Sequence, residues 1–453
     1  MRRSVTRREF LEITAGSAMA SAVVPVAGNR LTQRSRPNIL FILADDLGYG
    51  DLSSYGRPDY QTPTLDRLAQ QGIKFTSAYS AAAVCTPTRC AFLTGRYPQR
   101  LDVGLQEPLT RRSPATVGMP PGHPTVASLV KQNGYDTALI GKWHLGWRPE
   151  FGPNRHGYDE FFGILSGAAD YFTHRSADGA GVGTRGGEDL WENLTPIERT
   201  GYLTDLLTDR AVEYIARKHV RPFYLSLHYT APHAPWEGPA DAATDHGGHG
   251  DGPMTGGGSL RIFASMMTSL DAGIGRVLAA LGGAGLAENT LVIFTSDNGG
   301  ERYSFNWPFS SGKGALWEGG IRVPAMVRWP GVIPAGRTTE QAATTMDWTA
   351  TLLDVAGTKP DAAHRLDGEN LLTVCTGARA PFDRTLFWRT SRDEAARQGR
   401  WKYLKESGTE RQFDLSVDPG EKTDLKTKHS SVFDEIRKQY AAWDATMLPR
   451  PSA

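Results

Sequence analysis

Short polar clusters close several apolar runs of this chain, and their residue types suit chemistry on an oxyanion. Asp45-Asp46 follows the run Asn38 to Ala44, Lys142 and His144 follow Thr137 to Gly141, His233 follows Phe223 to Tyr229, and Asp297-Asn298 follows Leu291 to Ser296. Singly, each has a plain structural explanation: an Asp pair caps a helix, Asp-Asn-Gly turns the chain, and a lone His or Lys on a loop is solvated. Their shared place, just after an apolar run of strand length, is what points to one site. Three carboxylates (Asp45, Asp46, Asp297) and the amide oxygen of Asn298, with no Cys or His beside them, suit a hard cation. Ca²⁺ is the first choice and Mg²⁺ the second, and zinc fits poorly. Such an ion would neutralise a bound oxyanion.

The segment Cys85-Thr86-Pro87-Thr88-Arg89 reads as the start of a helix, with Thr86 as N-cap, Pro87 at the first helical position and Gly95 as the stop after Thr94. Cys85 then stands at a helix N-terminus, where free backbone N–H groups, with Arg89 one turn on, favour a thiolate or an attached anionic group. A small buried cysteine is the blander alternative. The other cysteines are Cys90 and Cys375, and three are too few for a disulfide scaffold.

The elements that must position these residues alternate. Helix-period segments at Thr64 to Gln71, Thr125 to Gln132, Tyr202 to Arg217 and Ile262 to Leu281 separate the strand-like runs. This is the signature of an α/β protein with a mostly parallel sheet covered on both faces, whose ligands bind beyond the carboxyl ends of the strands. From about Arg384 short strands with tight turns take over (Thr385 to Trp388, Trp401 to Leu404, Gln412 to Leu415), then an amphipathic helix from about Ser431 to Trp443. The expected organisation is a leader and linker at 1–35, a catalytic domain at 36–375 and a smaller C-terminal α+β domain at 376–453. Two glycine-rich stretches, Ser176 to Gly187 and His246 to Gly258, read as surface loops near the site.

With 453 residues and 40% hydrophobic side chains the chain can bury one large core and a second smaller one. Lys plus Arg is 50 against Asp plus Glu 49, so the balance calls for neither nucleic acid nor an anionic membrane. Arg2, Arg3, Arg7 and Arg8 precede an Ala-rich stretch from Phe10 to Ala27, which reads as a signal peptide, and Thr6-Arg7-Arg8-Glu9-Phe10-Leu11 resembles a twin-arginine export signal. The expected destination is therefore periplasmic or secreted, by way of the twin-arginine machinery. No later stretch reads as long and apolar enough to span a bilayer, and no stable membrane anchor is expected.

Cys85-Thr86-Pro87-Thr88-Arg89 followed by Leu93-Thr94-Gly95-Arg96 resembles the sulfatase signature. The resemblance extends through Asp45-Asp46-Leu47-Gly48-Tyr49-Gly50, Gly141-Lys142-Trp143-His144-Leu145-Gly146, Ala231-Pro232-His233-Ala234-Pro235, Ser296-Asp297-Asn298-Gly299 and Gly312-Lys313-Gly314, and reaches Phe413-Asp414-Leu415. It implies a large mixed, mostly parallel sheet of the alkaline-phosphatase-like kind and hydrolysis of a sulfate ester. In that family the signature cysteine is oxidised to formylglycine by a maturation enzyme, and Cys85 stands at that place; the hydrated aldehyde attacks sulfur and then collapses to release sulfate. The same resemblance assigns Asp45, Asp46, Asp297, Asn298 and the modified Cys85 to calcium, and Arg89 to holding the modified residue. It gives Lys142 and Lys313 to the sulfate oxygens, His144 to proton removal in the collapse, and His233 to sulfate binding and, with Lys313, leaving-group protonation. Thr88 stands where the family often has Ser, and an unconverted Cys85 has Cys90 or Cys375 as candidate disulfide partners.

Two other functions compete: a phosphonate or phosphate diester hydrolase with the same signature, and a non-catalytic binder of sulfated glycans. A two-zinc phosphatase needs His ligands beside the metal carboxylates, and Asn298 follows Asp297 instead. The substrate, aryl sulfate or sulfated saccharide, is left open by the motifs. The expected specificity surfaces are Asp170 to Trp191, Trp236 to Gly258 and Glu301 to Ser311, where Tyr171, Phe172, Trp236, Tyr303, Phe305 and Trp307 either stack on a ring or pack the loops.

Overall fold

The computed structural model describes residues 36–110, 112–176, 187–241 and 257–451. The expected export signal and most of both glycine-rich stretches lie outside the described residues. In chain order the strands are β1 (Asn38–Ala44), β2 (Ile73–Tyr79), β3 (Asp136–Gly141), β4 (Glu160–Gly163), β5 (Trp191–Glu192), β6 (Thr195–Pro196), β7 (Phe223–His228), β8 (Thr290–Ser296), β9 (Arg322–Arg328), β10 (Arg337–Thr339), β11 (Ala343–Thr344), β12 (Thr385–Arg389), β13 (Glu394–Gln398), β14 (Trp401–Glu406) and β15 (Thr409–Asp414). The helices are α1 (Pro63–Gln70), α2 (Cys85–Thr94), α3 (Val126–Gln132), α4 (Leu203–Ala216), α5 (Leu260–Gly283), α6 (Glu318–Ile321), α7 (Thr345–Val355), α8 (Leu372–Thr376) and α9 (Ser430–Asp444).

Every residue of β1 is buried, which an apolar strand achieves only between partners with both faces covered. Its neighbours β7 and β8 run parallel to it, and β3 and β4 continue the parallel set beyond β7. The whole sheet is ordered β10-β2-β9-β8-β1-β7-β3-β4-β5-β6, with β11 also on β2. The sheet is mixed because β9 runs antiparallel to both β8 and β2. The period of two along β1 divides the core: Leu40 and Ile42 join α1, α4 and α5, whereas Ile39, Phe41 and Leu43 join α2, α3 and α7.

Contrary to the sequence reading, one helix, α5, is long and apolar enough to cross a bilayer by length and composition. Its apolar face is committed to the core, where Phe263, Met266, Leu270 and Ile274 pack with Leu207 and Ala211 of α4. The three thiols are free and buried. Cys85 and Cys90 share α2, and five residues of helix turn them about 140° apart, so neither can bridge to the other.

The second sheet, β12-β13-β14-β15, is antiparallel throughout, with α9 against one face through Phe433, Ile436 and Tyr440. Its other face packs Leu386, Trp388, Leu404 and Phe413 on Tyr79 of β2, Leu316 and Ile321 of α6. A buried charge cluster pins the contact. Lys402 of β14 pairs with Glu318 at 3.0 Å and Glu421 at 2.7 Å, and Tyr79 and Arg322 also reach the Glu318 carboxylate, at 2.6 and 3.1 Å. Lys402→Met removes the cation and leaves carboxylates buried, so it should cost about 3–5 kcal/mol of stability, read from urea unfolding. A loss below about 1 kcal/mol would show that the remaining donors suffice.

Candidate active site

The strand order β8-β1-β7-β3 brings four carboxyl ends side by side, and the polar clusters stand just beyond them. Asp45 and Asp46 follow β1, Asp297 and Asn298 follow β8, His233 follows β7, and Lys142 and His144 follow β3. Close approach of β3 and β7 demands glycine at 141: its φ is +115°, and a Cβ there would lie 1.7 Å from the carbonyl oxygen of His228. Two non-glycine residues of the site are left-handed, Asp46 (φ 60°) and His144 (φ 58°), a conformation that surrounding contacts must hold. For Asp46 the contacts are its N–H to Asp297 Oδ1 at 3.2 Å and its Oδ1 accepting from Asn298 at 2.7 Å.

Helix α2 begins at Cys85, two residues earlier than the sequence pattern implied, with Val84 at the cap position and no side-chain cap. Thr86 does not cap. Its hydroxyl donates to the carbonyl of His144 at 3.2 Å and accepts the N–H of Leu109 at 3.1 Å, tying three segments together. The stop is as expected, with Gly95 left-handed and its N–H on Ala91.

Arg89 is the hub. Its Nε and Nη2 both donate to Asp297 Oδ2, at 3.1 and 2.8 Å, its Nη1 donates to the Lys142 carbonyl at 3.0 Å, and Asp45 lies 3.6 Å away. Lys142 Nζ meets Asp45 Oδ2 at 2.6 Å, and Lys313 Nζ meets Asp46 Oδ2 at 2.7 Å and His233 Nε2 at 3.2 Å. Three fixed cations thus face three carboxylates inside the protein.

Hydrogen bonding sets both imidazole tautomers. His144 donates from Nε2 to the Leu109 carbonyl at 2.8 Å, which leaves buried Nδ1 a free acceptor. His233 donates from Nδ1 to the Ala234 carbonyl, so Nε2 accepts from Lys313. Burial first, then the Lys142 charge, hold His144 far below the ordinary imidazole range; burial lowers His233 to about 3 against the opposing pull of Asp46. Burial also pushes the Cys85 thiol up to about 12, against the pull of Lys142 and Lys313.

A metal suits the donors present. Asp45 Oδ1 and Asn298 Oδ1 are buried acceptors without hydrogen-bond partners among the described residues, a costly arrangement unless a cation completes it. Ligand atoms of Asp45, Asp46, Cys85 and His233 lie within 4.8 Å of one another.

Two contributors escaped the sequence reading. His228, inside an apolar strand, donates from Nδ1 to the same Lys142 carbonyl at 3.2 Å and accepts from Ser226 at 2.8 Å, and a histidine interrupting an apolar run was its only signal. Glu301 lies 3.9 Å from Lys313, three residues beyond Asn298. Tyr171 is fully buried, stacks on Tyr202 and donates to the His233 carbonyl at 3.0 Å, so it packs rather than faces a ligand. Trp236 is nearly buried against Tyr303, while Trp307 stays 62% exposed.

Residues 37–358 match the sulfatase family model, and residues 310–443 match that of the N-sulphoglucosamine sulphohydrolase C-terminal region. The chain belongs to the sulfatase family and is a sulfuric ester hydrolase. It is 36% identical to N-acetylgalactosamine-6-sulfatase of Canis lupus familiaris over 371 residues, 78% of this chain and 68% of that protein. It is 33% identical to arylsulfatase A of Bos taurus over 93% of this chain and 91% of that one. The solved structure of Ps i-CgsB with k-i-k-neocarrahexaose is similar at a TM-score of 0.81 and 30% identity, over 92% of this chain and 94% of that one.

Behind His233, Glu237 accepts the Tyr171 N–H at 2.8 Å, and burial, with Asp170 adding to it, raises its carboxyl from 4.5 to about 8. The folded protein then holds a proton that the unfolded chain releases, so stability should fall as pH rises from about 4.5 to about 8. Thermal unfolding of Glu237→Gln across that window should show a shallower fall than wild type; parallel curves would mean the proton is not held there.

Proposed function

We propose that the chain hydrolyses a sulfate ester of a saccharide through a formylglycine made from Cys85, with one calcium ion held by Asp45, Asp46, Asp297, Asn298 and the modified residue. The observation that carries this reading is Cys85 beside buried Arg89 and Lys142 and half-buried Lys313, with two imidazoles held below their ordinary range and two unpartnered oxygen acceptors. An unmodified thiol held up at about 12 is a poor nucleophile at neutral pH, which is consistent with a need for conversion. The hydrated aldehyde supplies a hydroxyl for attack on sulfur and a second one whose deprotonation expels sulfate, so no water need attack sulfur. Bound calcium supplies positive charge that offsets the carboxylates and leaves the lysines in surplus for an anionic ester.

The chain's own groups then divide the work. Lys142 and Lys313 bind sulfate oxygens and stabilise charge that grows there in the transition state. His144 Nδ1, an acceptor by its tautomer, takes the proton in the collapse step. Lys313, hydrogen-bonded to His233, gives the leaving oxygen its proton, and His233 relays and binds. Arg89 keeps Asp297 and the Lys142 carbonyl at fixed distance from the nucleophile.

Peptide mass spectrometry of protein made in a host that matures sulfatases should find formylglycine at position 85. Cys85→Ala should lose aryl sulfate hydrolysis by about 10⁴-fold or more. Chelation should abolish activity and lower thermal stability, with Ca²⁺ restoring both better than Mg²⁺. Unmodified Cys85 in a folded protein, inactive beside a matured control, would favour a glycan-binding role. The reading also places the protein outside the cytoplasm, exported as a folded chain: Arg7→Lys with Arg8→Lys should leave precursor in the cytoplasm, seen by fractionation.

A further inference from the structure

We propose that Tyr171 and Glu237 are positioning residues for the hydrolysis: together they clamp the loop that carries His233 and so fix its ring against Lys313. The brace rests on the reading above, in which Lys313 and His233 deliver the proton to the leaving oxygen. Tyr171 comes from the segment between β4 and β5, and holds the loop after β7 at two points. Its hydroxyl donates to the His233 carbonyl at 3.0 Å, and its backbone N–H donates to Glu237 Oε2 at 2.8 Å. One tyrosine thereby spans the loop from residue 233 to residue 237. Tyr171 is itself tied to the start of α4, where its carbonyl accepts the Leu203 N–H at 2.7 Å and its ring stacks on Tyr202 with centroids 5.2 Å apart. The Tyr202 hydroxyl donates to the Glu237 carbonyl at 2.8 Å, which closes a ring of contacts through three segments distant in the chain. Tyr171, Tyr202 and Glu237 are all buried.

This clamp reaches the reacting groups through the backbone. The His233 ring is bound to its own loop, because Nδ1 donates to the carbonyl of Ala234, and Nε2 then meets Lys313 Nζ at 3.2 Å. Where the backbone at residue 233 goes, the ring follows. That contact already stands at the long end of the hydrogen-bond range, so a displacement of about 0.5 Å breaks it. Proton transfer to a departing oxygen is as sensitive to placement.

Glu237 is built to hold and not to react. Burial raises its carboxyl to about 8, and its hydrogen bond with Asp170 adds to this. Asp170 is held below the usual carboxylate range, against the cost of burial, by the N–H groups of Thr173 and Phe172 at 2.6 and 2.9 Å and by Glu237. The pair thus shares one proton: Glu237 donates to Asp170 and accepts from Tyr171. A glutamine at position 237 can do both, and an alanine can do neither.

The test uses matured protein and two aryl sulfates that differ in leaving group. Nitrophenolate departs readily as an anion, whereas phenolate is far more basic and depends on the proton that Lys313 and His233 supply as the S–O bond breaks. The ratio of kcat/KM for phenyl sulfate to that for 4-nitrophenyl sulfate should fall about tenfold in Tyr171→Phe and Glu237→Ala, part of the about 10²–10⁴-fold that a general acid contributes. It should stay within about twofold of wild type in Glu237→Gln. A merely structural loss would slow both substrates alike, so a ratio within about twofold of wild type in Tyr171→Phe overturns the brace. A fall in Glu237→Gln as deep as that in Glu237→Ala overturns it too. Tyr171→Phe removes a single oxygen and decides the matter if Glu237→Ala does not fold. His233→Ala separates the two readings. An unchanged ratio there overturns the leaving-group role of His233 and the brace with it, whereas a fall there without one in Tyr171→Phe overturns the brace alone.

Discussion

The buried pair of Arg89 and Asp297 is the constraint on which the site depends. A guanidinium and a carboxylate removed from water cost several kcal/mol unless each is fully met, and here one fork of donors meets a carboxylate from β8, a carbonyl from the end of β3 and, more distantly, Asp45 from β1. The helix that carries Cys85 is thereby fastened to three strand ends at once. Any slip of α2 along the sheet would strand an unpaired charge, so the position of residue 85 is set by electrostatics as much as by packing.

That fastening works because the central strands are parallel. Parallel neighbours end on the same side of the sheet, so one chain segment after another delivers its first polar residues to the same edge. The antiparallel β9 sits outside this group, next to β8, and returns the chain toward β2 without adding to the cluster. Left-handed backbone at Asp46 and His144 turns their side chains off the strand direction, and the neighbouring hydrogen bonds repay the local cost.

The smaller sheet joins this arrangement through charge as well as apolar contact. Lys402, Glu318 and Glu421 lie where the two sheets meet.

From the order of residues alone came the α/β class, the four central strands to within a residue or two, and the motif set Asp45-Asp46, Cys85 to Arg89, Lys142 to His144, His233, Asp297-Asn298 and Lys313. The strands and the polar clusters that close them were readable because hydrophobic period and turn chemistry are local properties, whereas Lys313 came from the resemblance to the sulfatase signature. The strands β2 and β9 were missed, since their register and direction depend on partners far away in the chain. Three-dimensional packing alone decided that Thr86 braces loops instead of capping, that His144 presents Nδ1 and His233 Nε2, and that Cys85 is buried. It also brought His228 and Glu301 beside the site. Each of these rests on burial or on contact between segments tens to hundreds of residues apart, which spacing along the chain does not encode.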